Sequence, residues 1–248
     1  MKKTKKRKNI VLRIVLSVLG ILILAGVTVV FLFRARNFEV EGNDYYGDTT
    51  ITTWIQNDRL SVNSLYILLK YDFLDPELPS GVEDIKVSLK NPWTVRVTVK
   101  EKELAGYVDY DDAYLYFDGE GIASIRTTQQ IEGVPYIEGL SFDTNSVELG
   151  KAMPVEDDSI FDRIVEASRY LNAYGLKPDR MSCENDSVQV YFGSVKVLLG
   201  NTDYEERVAQ IEPILESLLK QYPDAAGTLH LENYDSSASS VRFVPDEE

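Results

Sequence analysis

The chain has 248 residues, a formal net charge of −14 and a single cysteine, Cys183. One cysteine excludes an intramolecular disulfide, so the fold must be held by its apolar core. The first 36 residues contain nine of the 26 basic residues and no acid, which leaves seventeen basic residues against forty acidic ones, a formal net of −23, in the rest of the chain. Such an acidic excess argues against nucleic acid as a partner.

An apolar segment without a charge covers Ile14–Phe33. Twenty residues of helix, at about 1.5 Å per residue, extend about 30 Å, the thickness of the hydrocarbon core of a bilayer. The segment has no polar stripe beyond Ser17 and Thr28, whose hydroxyls can bond to the helix backbone. We therefore predict a transmembrane helix at 14–33, preceded by a basic cytoplasmic tail at 1–13.

The charges that flank this segment predict its orientation. Seven basic residues precede it, and only Arg34 and Arg36 follow closely. Because basic residues are retained on the cytoplasmic side, the N-terminus is expected inside and the body from about residue 37 outside the plasma membrane. A cleaved signal peptide is the alternative, but its apolar region is shorter and a small-x-small site should follow. Residues 31–36 are mostly bulky or charged, which favours an uncleaved single-pass anchor.

The segment at 37–108 has the pattern of a compact α+β domain. The expected elements are a strand at 37–42, helices at about 50–57 and 64–71, and strands at 82–90 and 94–100. Asp48 or Thr49 is the expected N-cap of the first of these helices. One sheet with two helices on one face would bury both sets of apolar residues.

The segment at 109–235 predicts a second, mixed α/β domain with an antiparallel sheet. The expected elements are a hairpin around Asp118-Gly119, a short segment at 135–140, a helix at 158–173, a hairpin at 188–199, a helix at 203–221 and a strand at 228–234. Pro213 should kink or split the second helix near Glu212. Residues 236–248 are expected to form a flexible tail.

Few residues in the sequence suit catalysis. Cys183 and His230 could form a nucleophile–base pair only if the fold brought them together, and Asp109, Asp111 and Asp112 lack the spacing of a calcium loop. There is no glycine-rich phosphate loop, no HExxH and no GxSxG. Carboxylate pairs of glycoside-cleaving enzymes follow no spacing rule, so that class stays open. We otherwise predict no catalytic, cofactor or metal site.

Several short stretches, in a particular order and spacing, match a known family. They are Phe38, Val40, Gly42 and Asn43; Asn91 and Pro92 with the run VRVTVKEKELAGYV, which contains Glu101; Tyr116, Phe117, Asp118 and Gly121; Val134–Leu140; and Val197–Gly200 ahead of Asp203. Together they resemble the FtsQ/DivIB cell-division proteins, whose first extracytoplasmic domain is a POTRA module. Departures are Lys102 where arginine is usual, Leu104 where proline is common, Pro213 in the last helix and His230 in the last strand.

The resemblance implies a non-enzymatic scaffold at the division septum. It would bind FtsL-like and FtsB/DivIC-like bitopic proteins and help control septal peptidoglycan synthesis, with no cofactor, nucleic acid or small-molecule substrate. Two alternatives remain: a membrane-anchored cell-wall enzyme or sensor, and a POTRA-bearing export or assembly factor outside division.

The partner is expected at the edge of a sheet, where unpaired backbone groups can accept an added strand. Mostly on the strength of the resemblance, we place this edge at Thr228–Tyr234 with Val241–Val244. The predicted contact residues are Leu229, Leu231, Tyr234, Arg242 and Phe243.

Overall fold

The computed structural model describes residues 2–234 and 241–246. Its helices are α1 (Lys2–Leu32), α2 (Asp48–Ile55), α3 (Ser64–Phe73), α4 (Asp158–Ala173) and α5 (Tyr204–Gln221). Its strands are β1 (Asn37–Glu41), β2 (Val82–Asn91), β3 (Thr94–Glu101), β4 (Leu104–Tyr110), β5 (Ala113–Asp118), β6 (Ala123–Thr127), β7 (Tyr136–Glu138), β8 (Arg180–Glu184), β9 (Ser187–Phe192), β10 (Val195–Gly200), β11 (Gly227–His230) and β12 (Arg242–Pro245). The predicted α+β class with an N-terminal apolar helix is confirmed.

The chain divides into two compact units. Unit 1 comprises Met1–Leu78 and Val82–Glu101, and unit 2 comprises Pro79–Gly81 and Lys102–Glu248. The predicted domain boundary near residue 108 stays a prediction.

Helix α1 contains the apolar segment. Within the described residues, α1 is the one helix long and apolar enough to cross a membrane, over Arg13–Leu32, with a mean hydropathy of 2.9. None of that stretch is buried against the rest of the protein, as expected when its side chains face lipid. The helix begins at Lys2, so part of the predicted basic tail is helical as well.

Unit 1 contains a three-stranded sheet in the order β1-β3-β2. Strand β1 runs parallel to β3, and β2 runs antiparallel to it. Because side chains alternate between the faces of a strand, the valines of β3 share one face. Buried isoleucines from α2 and α3 pack against that face, and the core consists of Ile51, Ile55, Ile67, Val82, Ile85, Val87, Val95, Val97 and Val99.

The N-cap predicted for α2 is wrong. Gly47 occupies that position and brings no side chain to it, whereas Asp48 belongs to the first turn. The reason lies in the preceding loop, where the Asn43 side chain donates to the Asp48 carboxylate at 3.0 Å. Helix α3 has a side-chain cap, since Asn63 Oδ1 accepts from the backbone N–H groups of Leu65 and Tyr66, each at 3.1 Å.

Unit 2 contains a nine-stranded sheet in the order β12-β11-β10-β9-β8-β7-β4-β5-β6. Its hairpins are antiparallel, as predicted, and three neighbouring pairs, β10–β11, β4–β7 and β7–β8, are parallel. Strand β8 was not predicted, and its residues RMSCE include no β-branched residue. Strand β8 forms because β7 and β9 both supply backbone partners.

Helix α5 is continuous through Pro213, so Pro213 does not split it, and the alternative prediction of a kink near Glu212 stays a prediction. Pro213 is exposed, while Ile211 and Leu215 on either side are buried in the core. The ring therefore lies on the outer side of the helix, where water can bond to the carbonyl that the proline leaves without a donor. Helix α4 matches its predicted bounds, with Asp157 as its N-cap.

Candidate partner-binding edge

The last described strand, β12, forms one edge of the nine-stranded sheet. It pairs antiparallel with β11, so that Phe243 lies opposite Leu229 and Arg242 opposite His230. Strand β11 also pairs parallel with β10. Within the described residues no strand pairs with the outer side of β12, so backbone groups on that side can accept another strand.

The register indicates which backbone groups of β12 face outward. The Asp246 N–H donates inward to the Ala226 carbonyl at 3.1 Å. Because antiparallel residues alternate between inward and outward bonding, Val244 should bond inward, and Phe243 and Pro245 should face outward. Proline has no N–H to leave unpaired, which suits an outward position on an edge strand. Phe243 therefore supplies an outward donor and acceptor in the middle of β12.

A glycine permits the close approach of β12 to β11. Gly227 has φ +149, and a Cβ at this position would lie 2.3 Å from the Val244 carbonyl oxygen and 2.8 Å from the Pro245 Cα. Both neighbours belong to the backbone of β12, so a larger residue could not be accommodated by side-chain rotation. Gly227 is therefore required for β12 to occupy the edge.

The structure places the predicted contact residues at different depths. Leu229 is 1% exposed and Leu231 is 0% exposed, and both belong to the core of unit 2. Tyr234 and Phe243 are half-buried and pack against that core, and Arg242 is exposed. The two leucines are thus core residues that a partner could not contact, whereas a partner could reach Tyr234, Arg242 and Phe243.

The predicted strand at 228–234 ends early. Strand β11 stops at His230, and the Tyr234 N–H then donates to the Leu231 carbonyl at 2.9 Å, which closes a turn. Strand β12 lies within the segment predicted as a flexible tail, of which residues 236–240, 247 and 248 are outside the described residues.

A cleft of about 660 Å³ lies beside β12. Its lining residues are Gln221, Tyr222, Pro223, Asp224, Ala225, Ala226, Phe243, Pro245 and Asp246. The segment from Tyr222 to Ala226 was not among the predicted site residues, although a tyrosine followed by proline directly after a helical pattern was an available signal. The cleft is large enough to receive an apolar side chain from a strand that pairs with β12.

Cys183 and His230 do not form a nucleophile–base pair. They lie on β8 and β11, with β9 and β10 between them, so about 14 Å of sheet separates them at the usual spacing of strands. Burial raises the pKa of the Cys183 thiol, which favours the unreactive protonated form. The His230 imidazole instead contacts the Glu232 carboxylate, with Nδ1 2.8 Å from Oε1.

The acidic residues near Asp109 form a turn. Asp111 and Asp112 have φ values of 47 and 55 and connect β4 to β5 as the central residues of a tight hairpin. Aspartate tolerates this left-handed conformation better than most residues do. Within residues 2–234 and 241–246, no group of three or more His, Cys, Asp or Glu residues is arranged to hold a metal ion.

Comparison of the sequence with known proteins finds relatives that match most of the chain. No family model matches it. Two curated relatives, each named Cell division protein DivIB, come from Clostridium botulinum strains Hall and Loch Maree. Each is 23% identical over 217 residues, which cover 82% of this chain and 80% of the relative. The chain resembles DivIB. The resemblance to FtsQ/DivIB proteins read from the short motifs is thereby confirmed.

Two acidic residues of the DivIB-like motifs hold the backbone in place. Glu101 accepts the backbone N–H groups of Asp44, Tyr45 and Tyr46 at 2.6–2.9 Å, which fixes the loop after β1. Asp118 is 3% exposed, and its carboxylate is bonded to the Lys102 ammonium at 2.7 Å as well as to groups of its own hairpin. Both carboxylates therefore have a structural role, since each holds backbone N–H groups in place.

Proposed function

We propose that this chain is a single-pass membrane scaffold of the cell-division machinery that binds other membrane proteins through the edge at β12. Three observations support the proposal: similarity to DivIB over 82% of the chain, one helix of membrane-spanning length and composition, and an open sheet edge beside a cleft. The open edge carries the proposal, because it offers outward-facing backbone groups beside a cleft that could receive a side chain.

Binding would proceed by strand addition. The outward N–H and carbonyl of Phe243 would pair with the backbone of an extended partner segment, and the cleft beside it would receive one apolar side chain. Arg242, exposed on the same strand, favours a partner with a carboxylate near that position. Backbone pairing supplies affinity, and the cleft with Arg242 supplies specificity.

The partners we propose are FtsL-like and FtsB/DivIC-like bitopic proteins, and the outcome of binding would be control of septal peptidoglycan synthesis. The basic residues ahead of the apolar segment favour a cytoplasmic N-terminus, which would put the body from about residue 37 outside the membrane, at the septum. A shared bilayer restricts the partners to one plane and so raises their effective concentration. Even the low affinity of a short edge strand would then be enough for binding.

Co-purification from solubilised membranes tests the edge. The full-length chain should retain a candidate bitopic partner, and Phe243→Ala and Tyr234→Ala should each lower retention severalfold. Tyr174→Ala is the matched control, because Tyr174 is 44% exposed at the C-cap of α4 and belongs to neither β11 nor β12.

Unchanged retention in both edge variants would remove β12 as the binding site. Release of soluble fragments from peptidoglycan by the purified chain would instead favour the cell-wall enzyme.

A further inference from the structure

Two loops of unit 1 have exposed apolar side chains close to the C-terminal end of α1. Leu60 is 61% exposed, Val62 is 59% exposed and Trp93 is 42% exposed. Leu60 and Val62 lie in the loop between α2 and α3, and Trp93 lies in the turn between β2 and β3. We call these three residues the apolar rim. Side chains of this size at such exposure have no role in the core of unit 1.

Backbone hydrogen bonds hold the apolar rim at the end of α1. The Ala35 N–H donates to the Val62 carbonyl at 2.9 Å, and the Arg36 N–H donates to the Trp93 carbonyl at 2.9 Å. Two different loops of unit 1 therefore form backbone hydrogen bonds with the residues that directly follow the helix. The distance from the end of the apolar stretch, Leu32, to these bonds is three or four residues.

One side chain joins α1 to α3. Asn63 caps α3 with its Oδ1, and its Nδ2 donates to the Val29 carbonyl at 3.2 Å. Val29 precedes Leu32 by three residues, about 4.5 Å along the axis, so it lies inside the apolar stretch. The loop that carries Leu60 and Val62 therefore lies beside the last turn of the apolar helix, at the same level along the helix axis.

The carbonyls at the end of α1 need donors. The last four carbonyls of a helix have no partner within it, and at membrane depth water is scarce. Just beyond this end, the Phe33 carbonyl accepts from the Ser64 N–H at 2.6 Å and the Ser64 hydroxyl at 3.0 Å. Ser64 is fully buried in this contact. The loop before α3 thus supplies donors to the Val29 and Phe33 carbonyls, whereas the side chains of the apolar rim are exposed.

The charges around the rim allow close approach to lipid. Asp58 is the acid next to Leu60 in this loop, and its carboxylate is paired with the Lys70 ammonium at 2.8 Å. Arg34, Arg36 and Arg59 are exposed nearby in the chain and suit the headgroup region. Tryptophan is also enriched at that depth, because its ring is apolar and its indole N–H can remain wet.

We propose that Leu60, Val62 and Trp93 insert into the interfacial region of the leaflet from which α1 emerges, so that unit 1 is docked directly on the lipid bilayer. The inference rests on the membrane span of the proposed function, and it is independent of the partner edge at β12. The occupant is lipid because the rim continues the surface of a helix that already faces lipid. Apolar insertion of this kind does not require anionic headgroups.

Tryptophan fluorescence can test the docking in the intact chain. The chain has two tryptophans, so Trp54→Phe leaves Trp93 as the sole reporter. This variant would be reconstituted into phosphatidylcholine vesicles with and without lipids brominated near the headgroup. We expect brominated lipid to quench Trp93 strongly, and aqueous iodide to quench it severalfold less than it quenches free tryptophan.

Charges on the rim should release Trp93 from the lipid. Adding Leu60→Glu and Val62→Glu should reduce quenching by brominated lipid at least twofold and raise quenching by iodide. Leu149→Glu is the matched control, since Leu149 is 52% exposed in unit 2, and it should change neither. The substituted positions are exposed, so an unchanged thermal transition is expected.

Carbonate washing of the vesicles distinguishes failure of the docking proposal from failure of the membrane span. A chain that resists extraction while Trp93 remains open to iodide would overturn the docking and leave the span intact. Protection from iodide without quenching by brominated lipid would also overturn it, because protein would then cover the rim. Extraction of the chain by carbonate would contradict the span itself, whereas the β12 edge is tested separately by co-purification.

Discussion

Glu101 in unit 1 and Asp118 in unit 2 both hold backbone N–H groups, but the two carboxylates span different lengths of chain. Glu101, at the end of β3, reaches back to the loop after β1 and accepts three N–H groups from residues 44–46. Asp118, at the end of β5, accepts the N–H groups of Glu120 and Ile122 within its own hairpin. The first carboxylate fixes a long-range connection, and the second fixes a local turn.

The two carboxylates also differ in burial. Asp118 is 3% exposed and paired with Lys102, whereas Glu101 is only partly buried. A buried group that loses its partner costs more than an accessible one, because water cannot replace the lost bond. The comparison predicts a larger stability loss at Asp118, although Glu101 connects more distant segments.

The largest expected effect is at Asp118. Asp118→Asn removes the charge of a buried carboxylate, replaces one of its oxygens by an NH₂ group and takes the carboxylate partner from the partly exposed Lys102 ammonium, which should lower the free energy of unfolding of unit 2 by about 3 kcal/mol. Hydrogen exchange of β5 and β6, read segment by segment, measures the loss. Glu120→Gln, at an exposed position in the same turn, should have almost no effect.

Glu101→Gln should have the next largest effect, a loss of about 1–2 kcal/mol in unit 1, because an amide presents only one acceptor to the three N–H groups. Both tryptophans, Trp54 and Trp93, lie in unit 1, so the fluorescence transition on denaturation reports this unit. Exposed Glu103, changed to Gln, is the control. A fluorescence shift as large in Asp118→Asn as in Glu101→Gln would contradict the separation of the two effects.

Gly227→Ala should detach β12 with a smaller loss of stability, about 1 kcal/mol, because the new Cβ would collide with the Val244 carbonyl. Partner retention should fall while the core of unit 2 stays intact. Gly193→Ala is a matched control, since Gly193 also has positive φ, +57, but nothing lies within 4 Å of its Cβ position. Unchanged hydrogen exchange in β12 of the Gly227 variant would show that the edge tolerates the substitution.

The smallest effect concerns acid sensitivity of unit 1. The hydrogen bond from Lys70 lowers the pKa of Asp58 below its ordinary value of 3.8. The pair therefore stabilises unit 1 above that value, and the stabilisation is lost as the pH falls through the folded-state pKa. Lys70→Met should destabilise unit 1 near neutral pH, and its difference from wild type should shrink in acid.

Fluorescence-monitored unfolding at neutral and acidic pH measures this change. Lys86→Met is the control, because Lys86 and Asp84 are both exposed and lie 3.6 Å apart. An equal difference between wild type and Lys70→Met at both pH values would show that the ion pair does not cause the acid sensitivity.

Much of the fold follows from local patterns. Alternating residues predicted β2, β3, β9 and β10 almost to their ends, and helical spacing of apolar residues over 158–173 predicted α4. These patterns are reliable because a strand or helix with one buried face repeats its apolar residues at a fixed period. The segments predicted to form the partner edge contain β11 and β12, and their role in binding stays a prediction; β12 was also expected to belong to a flexible tail.

The sequence by itself determined the apolar span, the acidic body and the local elements, because charge, length and periodicity act over neighbouring residues. Only the tertiary structure decided that Leu229 and Leu231 are buried while Arg242 is exposed, since burial depends on which strands lie on each side. It also decided that Asn63 reaches the Val29 carbonyl, a contact between residues 34 positions apart that no local pattern encodes. Contacts of that range arise only when the packed core brings distant segments together.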